Sequence, residues 1–513
     1  MKVSGEQEQA APVATVPTDP ALASDGALLA TAQAGYRVTT WTALVVTIIQ
    51  TAQLLLVPRI VGSPSEFGLF AMMQLTAGFA AAFADLGISA AVVQRKDHTP
   101  EKLSRLYLVN IIASVVAASV VATSGSLLSA FYDEPRLAAL APWAAAPLLV
   151  TAVGQQFGLL MQKELEFHRL SWIDLRATVA AFLTVVIAAA AGFGVLALLW
   201  GPLALATVRS GLLLWAGWSR WPVRWVRGPV DIRPYLSFGA YQVGERMVNF
   251  LVARMDQLAI GHYGDAGALG LYNLAQQYTT APLSRVNPAF NVVALPVISR
   301  QSDHPEQMRR TYLDLLQKII HVNAPLMAGL AAVAAPVVAV AAGPEWVDAA
   351  PVMALLALVQ LVRSHANPVG LLLAARGRSD QGFWWNIGVL ATEVPVLFLA
   401  ASTRRLDVVV LVLLLLQLTY TPLNYLFLVR PHIGGSASAY TAAVVRPMLP
   451  ALGMGLMVAA VSACLPMGGP MALRLMALVA VGGGIHTAIL WFWMPEVLDR
   501  ARCWVFGQTP RGG

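Results

Sequence analysis

Charged residues are scarce in this 513-residue chain, at 12% of the sequence, whereas hydrophobic residues make up 57%. Soluble domains carry about 25% charged residues, because surface positions must be solvated by polar or ionic groups. The deficit excludes a soluble enzyme, a soluble nucleic-acid-binding protein and a disordered scaffold. A mean hydropathy of +0.65 therefore indicates a polytopic membrane protein.

Cysteine and enzyme motifs are also almost absent. Cys464 and Cys503 are the only cysteines, which excludes a disulfide framework and a thiolate metal cluster. The sequence lacks a Gly-x-x-x-x-Gly-Lys-Ser/Thr loop, His-Glu-x-x-His, Gly-x-Ser-x-Gly and Asp-x-Asp. We therefore predict no enzyme, no pump that hydrolyses its own ATP, no cofactor and no metal site.

Long apolar segments predict about fourteen transmembrane helices. About 20 apolar residues cross a hydrocarbon core of about 30 Å, and continuous apolar runs without period-two alternation favour helices over a barrel. The predicted spans are Val38–Pro58, Phe67–Val93, Leu106–Phe131, Leu137–Met161, Ser171–Gly192, Val195–Trp218, Tyr235–His262, Leu269–Ser299, Leu315–Ala342, Pro351–Ala375, Phe383–Ala401, Val408–Val429, Thr441–Leu465 and Met471–Pro495.

Loop charge predicts the orientation of these spans. Of the 34 lysines and arginines, 22 fall on the face that carries both termini and 5 on the opposite face. Because cytoplasmic loops are enriched in Lys and Arg, both termini are predicted to be cytoplasmic. The formal charge of +7 is attributed to this bias rather than to nucleic-acid binding. With no cleavable signal peptide apparent, the first span is expected to act as a signal anchor.

An internal repeat divides the spans into two halves. Residues 68–74 (GLFAMMQ) match residues 270–276 (GLYNLAQ), and each copy opens the second helix of its half. Six helices separate the copies, so the halves run parallel, an arrangement typical of transporters with a substrate site between the halves. The predicted domains are a disordered cytoplasmic tail 1–35, an N-lobe 36–220, a basic cytoplasmic linker 221–233, a C-lobe 234–430, two additional spans 431–496 and a cytoplasmic tail 497–513.

Ionisable side chains inside the spans mark the candidate site. A charge at the bilayer centre costs about 2.5–3.5 kcal/mol, so such groups usually face a partner or a wet cavity. Two interpretations of the seventh span stay open: an internal set of salt bridges, with its acids neutralising its arginines, or a cavity wall. Its polar face comprises Gln242, Glu245, Arg246, Asn249, Asp256 and Gln257, with Arg254 beside them, and the first span has a milder stripe of Thr39, Thr42, Gln50 and Gln53.

Three further arginines lie well inside apolar spans with no acid one helical turn away, namely Arg209, Arg285 and Arg363. Each must reach a partner on another helix or line water, and we favour a cationic wet cavity. Asp85 and Glu393 are buried acids. Each is predicted to be either a proton or cation site or the partner of an arginine.

The sequence resembles the bacterial polysaccharide transporters, which are lipid-linked oligosaccharide flippases of the MOP superfamily serving O-antigen (lipopolysaccharide) and exopolysaccharide assembly. The resemblance covers about residues 36–430 as an ordered set of short motifs. These are Glu66-Phe67-Gly68-Leu69-Phe70, Phe83-Ala84-Asp85-Leu86-Gly87-Ile88, Ala90-Ala91-Val92-Val93-Gln94, Phe131-Tyr132-Asp133-Glu134-Pro135, Gln162-Lys163-Glu164-Leu165-Glu166-Phe167, Asp256-Gln257 and Leu269-Gly270-Leu271-Tyr272-Asn273-Leu274-Ala275.

This resemblance implies an all-α integral membrane fold of two pseudo-symmetric six-helix lobes in a MATE-like V shape, plus two C-terminal helices. It also implies alternating-access transfer of an undecaprenyl-pyrophosphate-linked repeat unit from the inner to the outer leaflet of the bacterial cytoplasmic (inner) membrane. Membrane lipid, a polysaccharide polymerase and assembly proteins are the expected partners, and nucleic acid is not.

The site predicted from the sequence has two groups of residues. The substrate pathway comprises Arg209, Arg246, Arg254, Arg285, Arg363, Asn249 and Gln53, and coupling or charge pairing is assigned to Asp85, Glu245, Asp256 and Glu393. A cation-coupled multidrug antiporter of the same superfamily is the alternative function, and it predicts an acidic cavity. A non-transporting membrane scaffold of the polysaccharide assembly machinery is another, and it predicts salt-bridged, closed lobes.

Overall fold

The computed structural model describes residues 20–88, 92, 99–224, 228, 230–301, 304–464 and 470–493, with side chains from residue 39 onward except those of residues 238, 292, 293, 295 and 493. Long helices joined by short turns make up this part of the chain, which contains no strand. They are α1 (Pro20–Val61), α2 (Pro64–Ala84), α3 (Pro100–Thr123), α4 (Leu137–Lys163), α5 (Phe167–Ala190), α6 (Val195–Gly217), α7 (Arg233–Tyr263), α8 (Ala266–Arg300), α9 (Pro305–Ala332), α10 (Ala349–Ala375), α11 (Ser379–Ala401), α12 (Leu406–Ile433), α13 (Ala437–Cys464) and α14 (Met471–Trp493).

Short helical elements fill the connections between and within the long helices. Gly125–Tyr132 follows α3, and Ala334–Ala341 and Pro344–Trp346 follow α9. Inside α10 a 3-10 turn occupies Ser364–Ala366, and inside α12 a π-helical turn occupies Tyr425–Val429. α8 continues as one helix through its three prolines.

The predicted all-helical membrane fold is confirmed in its broad form. Among the described residues, eleven helices are long and apolar enough to cross a membrane, and α9 together with Ala334–Ala341, bent by 75°, makes a twelfth candidate. α7 and α8 do not belong to that set, since polar side chains interrupt both helices along their length. α1 begins at Pro20 and overlaps the predicted disordered tail, whereas residues 1–19 and 497–513 lie outside the described residues.

Sequence signals account for where several helices begin. Pro64, Pro100 and Pro305 occupy the first helical turn of their helices, where the missing N–H costs no hydrogen bond. Asp265 precedes α8, and its carboxylate accepts a hydrogen bond from the Ala268 amide at 2.6 Å. Such a capping bond satisfies one of the orphan amides at a helix start.

The same helix pairs pack together in α1–α6 and again six helices later. α1 packs on α5, α4 on α6 and α3 on α4, and the equivalent pairs are α7 on α11, α10 on α12 and α9 on α10. α13 packs on α9, and α14 packs on α13. The packing therefore follows the repeat that the sequence predicts.

α2 and α8 cross where the two copies of the repeated motif begin. A Cβ atom on Gly68 would collide with the Ala266 carbonyl group, and a Cβ atom on Gly270 would collide with the Pro64 carbonyl group. Pro64 and Ala266 hold equivalent positions in the repeat, so the contact is reciprocal, as it is at a two-fold axis. Only glycine permits backbones to approach this closely.

Further contacts join the two halves at the same face, which the loop charge predicts to be extracytoplasmic and which we call the outer face. The Trp346 indole N–H donates a hydrogen bond to the Pro58 carbonyl at 3.2 Å, and its ring meets the edge of Phe67 at 4.9 Å between centroids. His262 stacks on Phe131 at 4.4 Å. The first and second halves are therefore in contact at the outer face.

Candidate functional site

A cavity of about 870 Å³ lies between α1, α2, α5, α6 and α8. This volume is within the range of ligand-binding cavities, about 300–1,000 Å³. Two residues of the predicted pathway, Gln53 and Arg285, line it. Its other polar lining residues are Thr47, Gln50, Gln74, Thr178, Gln277, Thr280 and Ser284, so the described lining has one cation and no carboxylate.

Outer-face contacts close one end of this cavity. Pro58 and Phe67 belong to the cavity wall, and both residues contact Trp346, which is buried and is not itself a lining residue. The lining helices place Phe67 in the first turn of α2 and Pro58 in the last turn of α1. The outer end of the cavity is therefore sealed by residues from both halves of the chain.

Arg209 forms an ion pair with a partner that the sequence did not identify. Its Nε lies 2.7 Å from Oδ1 of Asp174 on α5, and the two side chains are 38% and 47% exposed. Asp174 is one helical turn from Thr178, and Arg209 is one turn from Leu205, both of which line the cavity. Arg209 therefore has an acidic partner on another helix, and the pair continues the cavity wall by one turn.

Replacement of Arg209 by glutamine tests whether this pair faces water. An exposed ion pair contributes about 1 kcal/mol or less, so we expect Arg209→Gln to change thermal stability only slightly. If the pair faced lipid, Asp174 would lose its partner in hydrocarbon, at a cost of several kcal/mol. The measurement is the melting temperature of the purified protein in detergent and in nanodiscs.

The control for this variant is Arg136→Gln in the outer loop. Arg136 donates a hydrogen bond to Glu134 at 2.8 Å, which lowers the pKa of that carboxyl group. That pair lies outside the spans, so its loss sets the scale for a solvated pair. A much larger loss of stability for Arg209→Gln than for Arg136→Gln would show that the Arg209–Asp174 pair is not solvated.

Asp85 is the partner of Arg246. Its carboxylate accepts a hydrogen bond from Arg246 on α7 at 2.6 Å and one from Gln155 on α4 at 2.7 Å. The side chain of Asp85 is 10% exposed. The structure therefore gives Asp85 an arginine partner, and that partner, Arg246, lies on another helix.

Backbone contacts next to this ion pair bring α2 and α7 together. Leu86 and Gly87 follow Asp85 with φ angles of 46° and 65°. A Cβ atom on Gly239 of α7 would collide with the Leu86 carbonyl oxygen. The tight approach explains why the chain takes the left-handed conformation at the end of α2, which is costly for a leucine.

A second polar cluster lies between α7, α8, α10, α11 and α12. Tyr272 donates a hydrogen bond to Asp256, which also accepts one from Gln276 at 3.3 Å. Glu393, which is 1% exposed, accepts a hydrogen bond from Gln417 at 3.5 Å. The positive charge of Arg363 acts on both carboxylates. Within the described residues, no three His, Cys, Asp or Glu side chains are grouped to hold a metal ion.

The remaining predicted residues lie on α7. Asn249 accepts a hydrogen bond from Asn386 on α11 at 2.6 Å. Arg254 is exposed and Glu245 is half-buried. The structure thus distributes the predicted arginines over several places. Sequence reasoning missed the partners on other helices, Asp174 and Gln155, and the cavity residues Gln74 and Gln277, whose only signal is a polar side chain within an apolar span.

The fold is similar to the folds of a lipid flippase and of a multidrug transporter whose structures are known. It matches the inward closed conformation of the lipid II flippase MurJ with a TM-score of 0.70 at 11% identity, over 90% of this chain and 99% of that protein. An inward-facing multidrug resistance MATE family transporter of the MOP superfamily matches with a TM-score of 0.55 at 14% identity, over 85% and 99% of the two chains.

Sequence comparison then gives the particular family. The family described as "Polysaccharide biosynthesis protein" matches residues 56–351. The teichuronic acid biosynthesis protein TuaB of Bacillus subtilis is 32% identical, over 75% of this chain and 79% of that protein. The lipopolysaccharide biosynthesis protein WzxC of Escherichia coli is 29% identical, over 78% and 82% of the two. The chain belongs to this family of polysaccharide biosynthesis membrane proteins, as the resemblance of its motifs predicted.

Proposed function

We propose that the protein is a flippase that moves undecaprenyl-pyrophosphate-linked oligosaccharide repeat units from the inner to the outer leaflet by alternating access. The observation that carries this proposal is the polar cavity with one cation, Arg285, and no carboxylate in its described lining. Membership of the polysaccharide family and a fold shared with a lipid II flippase support it. The succinoglycan biosynthesis transport protein ExoT of Rhizobium meliloti, 23% identical over 88% of this chain and 90% of that protein, is a further relative.

The proposed architecture has fourteen spans in the bacterial inner membrane, with both termini in the cytoplasm. α1–α6 form an N-lobe, α7–α12 form a C-lobe, and α13 and α14 are additional. The recurring helix pairs and the reciprocal glycine contact support two lobes related by pseudo-symmetry. α7 and α8 count as spans in this proposal because Asp256 and Gln257 of α7 are buried among other helices, and Gln277 and Arg285 of α8 line the cavity.

In the proposed mechanism, the head group of the substrate passes through the cavity while the polyprenyl tail stays in lipid. Guanidinium groups suit this role, because their fixed donor fork pairs with phosphate oxygens. The outer seal at Trp346 must open to release the head group outward. The residues assigned to the pathway are Arg209, Arg246, Arg254, Arg285, Arg363, Asn249 and Gln53.

Coupling and charge pairing are assigned to four acids. Asp85 pairs with Arg246 and joins α2 to α7, so its role is structural pairing. Asp256 and Glu393 are buried in the cluster around Arg363, apart from the cavity lining, and are the candidates for a coupling proton or cation. Glu245 lies on the polar face of α7 and is assigned to charge pairing.

The multidrug antiporter alternative predicts an acidic cavity for organic cations. The described lining of the cavity contains Arg285 and no carboxylate, which disfavours a cationic cargo. The scaffold alternative predicts no cavity open to a substrate. A polysaccharide polymerase and assembly proteins are the partners we propose, since a flipped repeat unit must be consumed by polymerisation on the outer side.

Complementation of a bacterial strain lacking its repeat-unit flippase tests this function. The wild type is compared with Arg285→Ala and Arg363→Ala at matched membrane abundance, and Arg310→Ala is the control because Arg310 is 79% exposed. We expect the wild type and the control to restore polymer. Both test variants should reduce polymer at least tenfold, because each removes a guanidinium group proposed to pair with the anionic head group of the substrate.

The outcomes separate the function from the assignment of residues. Full rescue by Arg285→Ala and Arg363→Ala would leave the proposed flippase function standing and would contradict the assignment of these two arginines to the substrate pathway. No rescue by the wild type across strains with different repeat units would contradict the proposed function. In that case, resistance of the cells to organic cations would distinguish the antiporter from the scaffold.

A further inference from the structure

Polar groups in the cavity are ordered by their depth along the helices that line it. On α8, Gln277 lies eleven residues after Ala266, about 16 Å from the outer end of the helix at 1.5 Å per residue. Arg285 follows eight residues later, about 12 Å further inward along the helix. Both line the same cavity. The cation is therefore at the inner end of the cavity wall.

Uncharged amide side chains of two other helices, α1 and α2, lie at about the same depth as Gln277. Gln53 and Gln50 lie about 12 Å and 16 Å from the end of α1 at Val61. Gln74 lies about 15 Å from the start of α2 at Pro64. With Gln277, these side chains form a layer in the outer half of the cavity, which we call the amide layer. No charged side chain of the described lining lies at this depth.

Inward of the amide layer the wall becomes charged. Arg285 is in the lining, and the Arg209–Asp174 pair lies one helical turn beyond Leu205 and Thr178. The two ends of the cavity therefore offer different chemistry. Carboxamides donate and accept hydrogen bonds without charge, which suits sugar hydroxyls, whereas a guanidinium group pairs with phosphate oxygens.

We propose that the cavity sorts the head group of its substrate, with uncharged sugar residues in the amide layer and the pyrophosphate at Arg285. This inference rests on the proposed flippase function and adds an orientation to it. The sugar points towards the outer seal, and the pyrophosphate stays inward, next to the polyprenyl tail. Acidic sugars are disfavoured in the amide layer, because a carboxylate there would lose water without gaining a cation.

Binding to two lipid probes tests the sorting. Full-length protein in nanodiscs is titrated with undecaprenyl pyrophosphate and with undecaprenyl pyrophosphate carrying one neutral hexose. Gln277→Leu and Gln74→Leu should weaken binding of the hexose-bearing lipid about tenfold and leave undecaprenyl pyrophosphate within about twofold. Arg285→Gln should weaken both probes by about tenfold or more.

Thr207→Val is the matched control, since Thr207 lies on α6, is exposed and bonds only within its helix in the described contacts. Gln50→Leu addresses the amide layer from α1, in case a variant of α2 or α8 does not fold. Equal weakening of both probes by the glutamine variants would overturn the sorting. Loss of only the hexose-bearing lipid in Arg285→Gln would overturn it as well.

A flipping assay separates this inference from the function on which it rests. Proteoliposomes containing the wild type are supplied with the hexose-bearing lipid, and its appearance in the opposite leaflet is measured. If the lipid is not flipped, but the glutamine variants still weaken only the hexose-bearing lipid and Arg285→Gln still weakens both probes, the proposed function is overturned and the sorted binding is retained. If the lipid is flipped, but the variants do not distinguish the two probes in this way, the function is retained and the sorting is overturned.

Discussion

A Gly68→Ala variant, and separately a Gly270→Ala variant, should lose most of its ability to close the outer face. Each new methyl group would collide with a backbone carbonyl of the opposite helix, at Ala266 or at Pro64. A backbone carbonyl cannot rotate away as a flexible side chain can, so α2 and α8 must separate. Overpacking costs about 1–3 kcal/mol, and about 2 kcal/mol shifts the closed conformation roughly thirtyfold.

The measurement is a distance between spin labels on the outer face. Cysteines replace Arg136 in the first half and Asp348 in the second, in a background without Cys464 and Cys503. We expect the alanine variants to lengthen the main distance relative to the parent protein and to lower complementation at least tenfold. Both variants should behave alike, because the contact is reciprocal.

The control for the glycine variants is Gly211→Ala on α6. A Cβ atom at Gly211 would meet no other atom within 4 Å, and alanine is about 1 kcal/mol more favourable than glycine inside a helix. Gly211→Ala should therefore retain both the distance and the activity. An unchanged distance and full activity in Gly68→Ala would show that this crossing does not seal the outer face.

Loss of the Arg246–Asp85 ion pair should lower the stability of the protein, and this is the second largest effect that we expect. In Arg246→Leu the buried Asp85 carboxylate keeps its bond to Gln155 but loses the Arg246 guanidinium group, and breaking a buried pair costs about 3–5 kcal/mol. The side chain of Arg246 is 43% exposed, so water weakens the interaction and we expect about 1–3 kcal/mol. Asp85→Asn should lower stability less than Arg246→Leu does, because the asparagine amide can still form a hydrogen bond and leaves no buried negative charge.

A double-mutant cycle measures this pair. Thermal stability and complementation are recorded for Asp85→Asn, Arg246→Gln and the double variant. Residues in direct contact are expected to show a coupling energy of about 0.5–3 kcal/mol. Additive effects in both measurements would mean that the pair does not join α2 to α7 in the membrane.

These two contacts between the halves, among several, differ in physical kind. At the outer face, Gly68 and Gly270 make a dry backbone contact, which acts only at short range and is lost entirely on separation. Between α2 and α7, Arg246 and Asp85 make a charged contact that water can solvate when the helices part. The charged contact is therefore the more easily exchanged for hydration during an alternating-access cycle.

Much of the fold could be predicted from the sequence, because hydrophobicity acts locally. Continuous apolar runs have a length set by the bilayer, so the predicted span Val195–Trp218 agrees with α6 within a residue. The repeat was visible because glycine at 68 and 270 is required by a close backbone approach. The polarity of α7 and α8 indicated helices that contact something other than lipid.

Side-chain partners could not be predicted in the same way. Arg209 was expected to line water, and the structure pairs it with Asp174, which lies 35 residues away on another helix. Arg246 has two acids on its own helix, Glu245 and Asp256, and yet its partner is Asp85, 161 residues away. The spacing of residues in the sequence indicates which side chains are neighbours only when both lie on the same helix.

The sequence by itself determined that the chain is a helical membrane protein, that it repeats, and which residues are too polar for lipid. These properties follow from the composition of each segment and its transfer from water to hydrocarbon. Only the tertiary structure decided which arginine faces the cavity, which is paired, and how the amides and the cation are ordered by depth. Those properties depend on the rotation and crossing of each helix against its neighbours, which the packing of the whole bundle fixes.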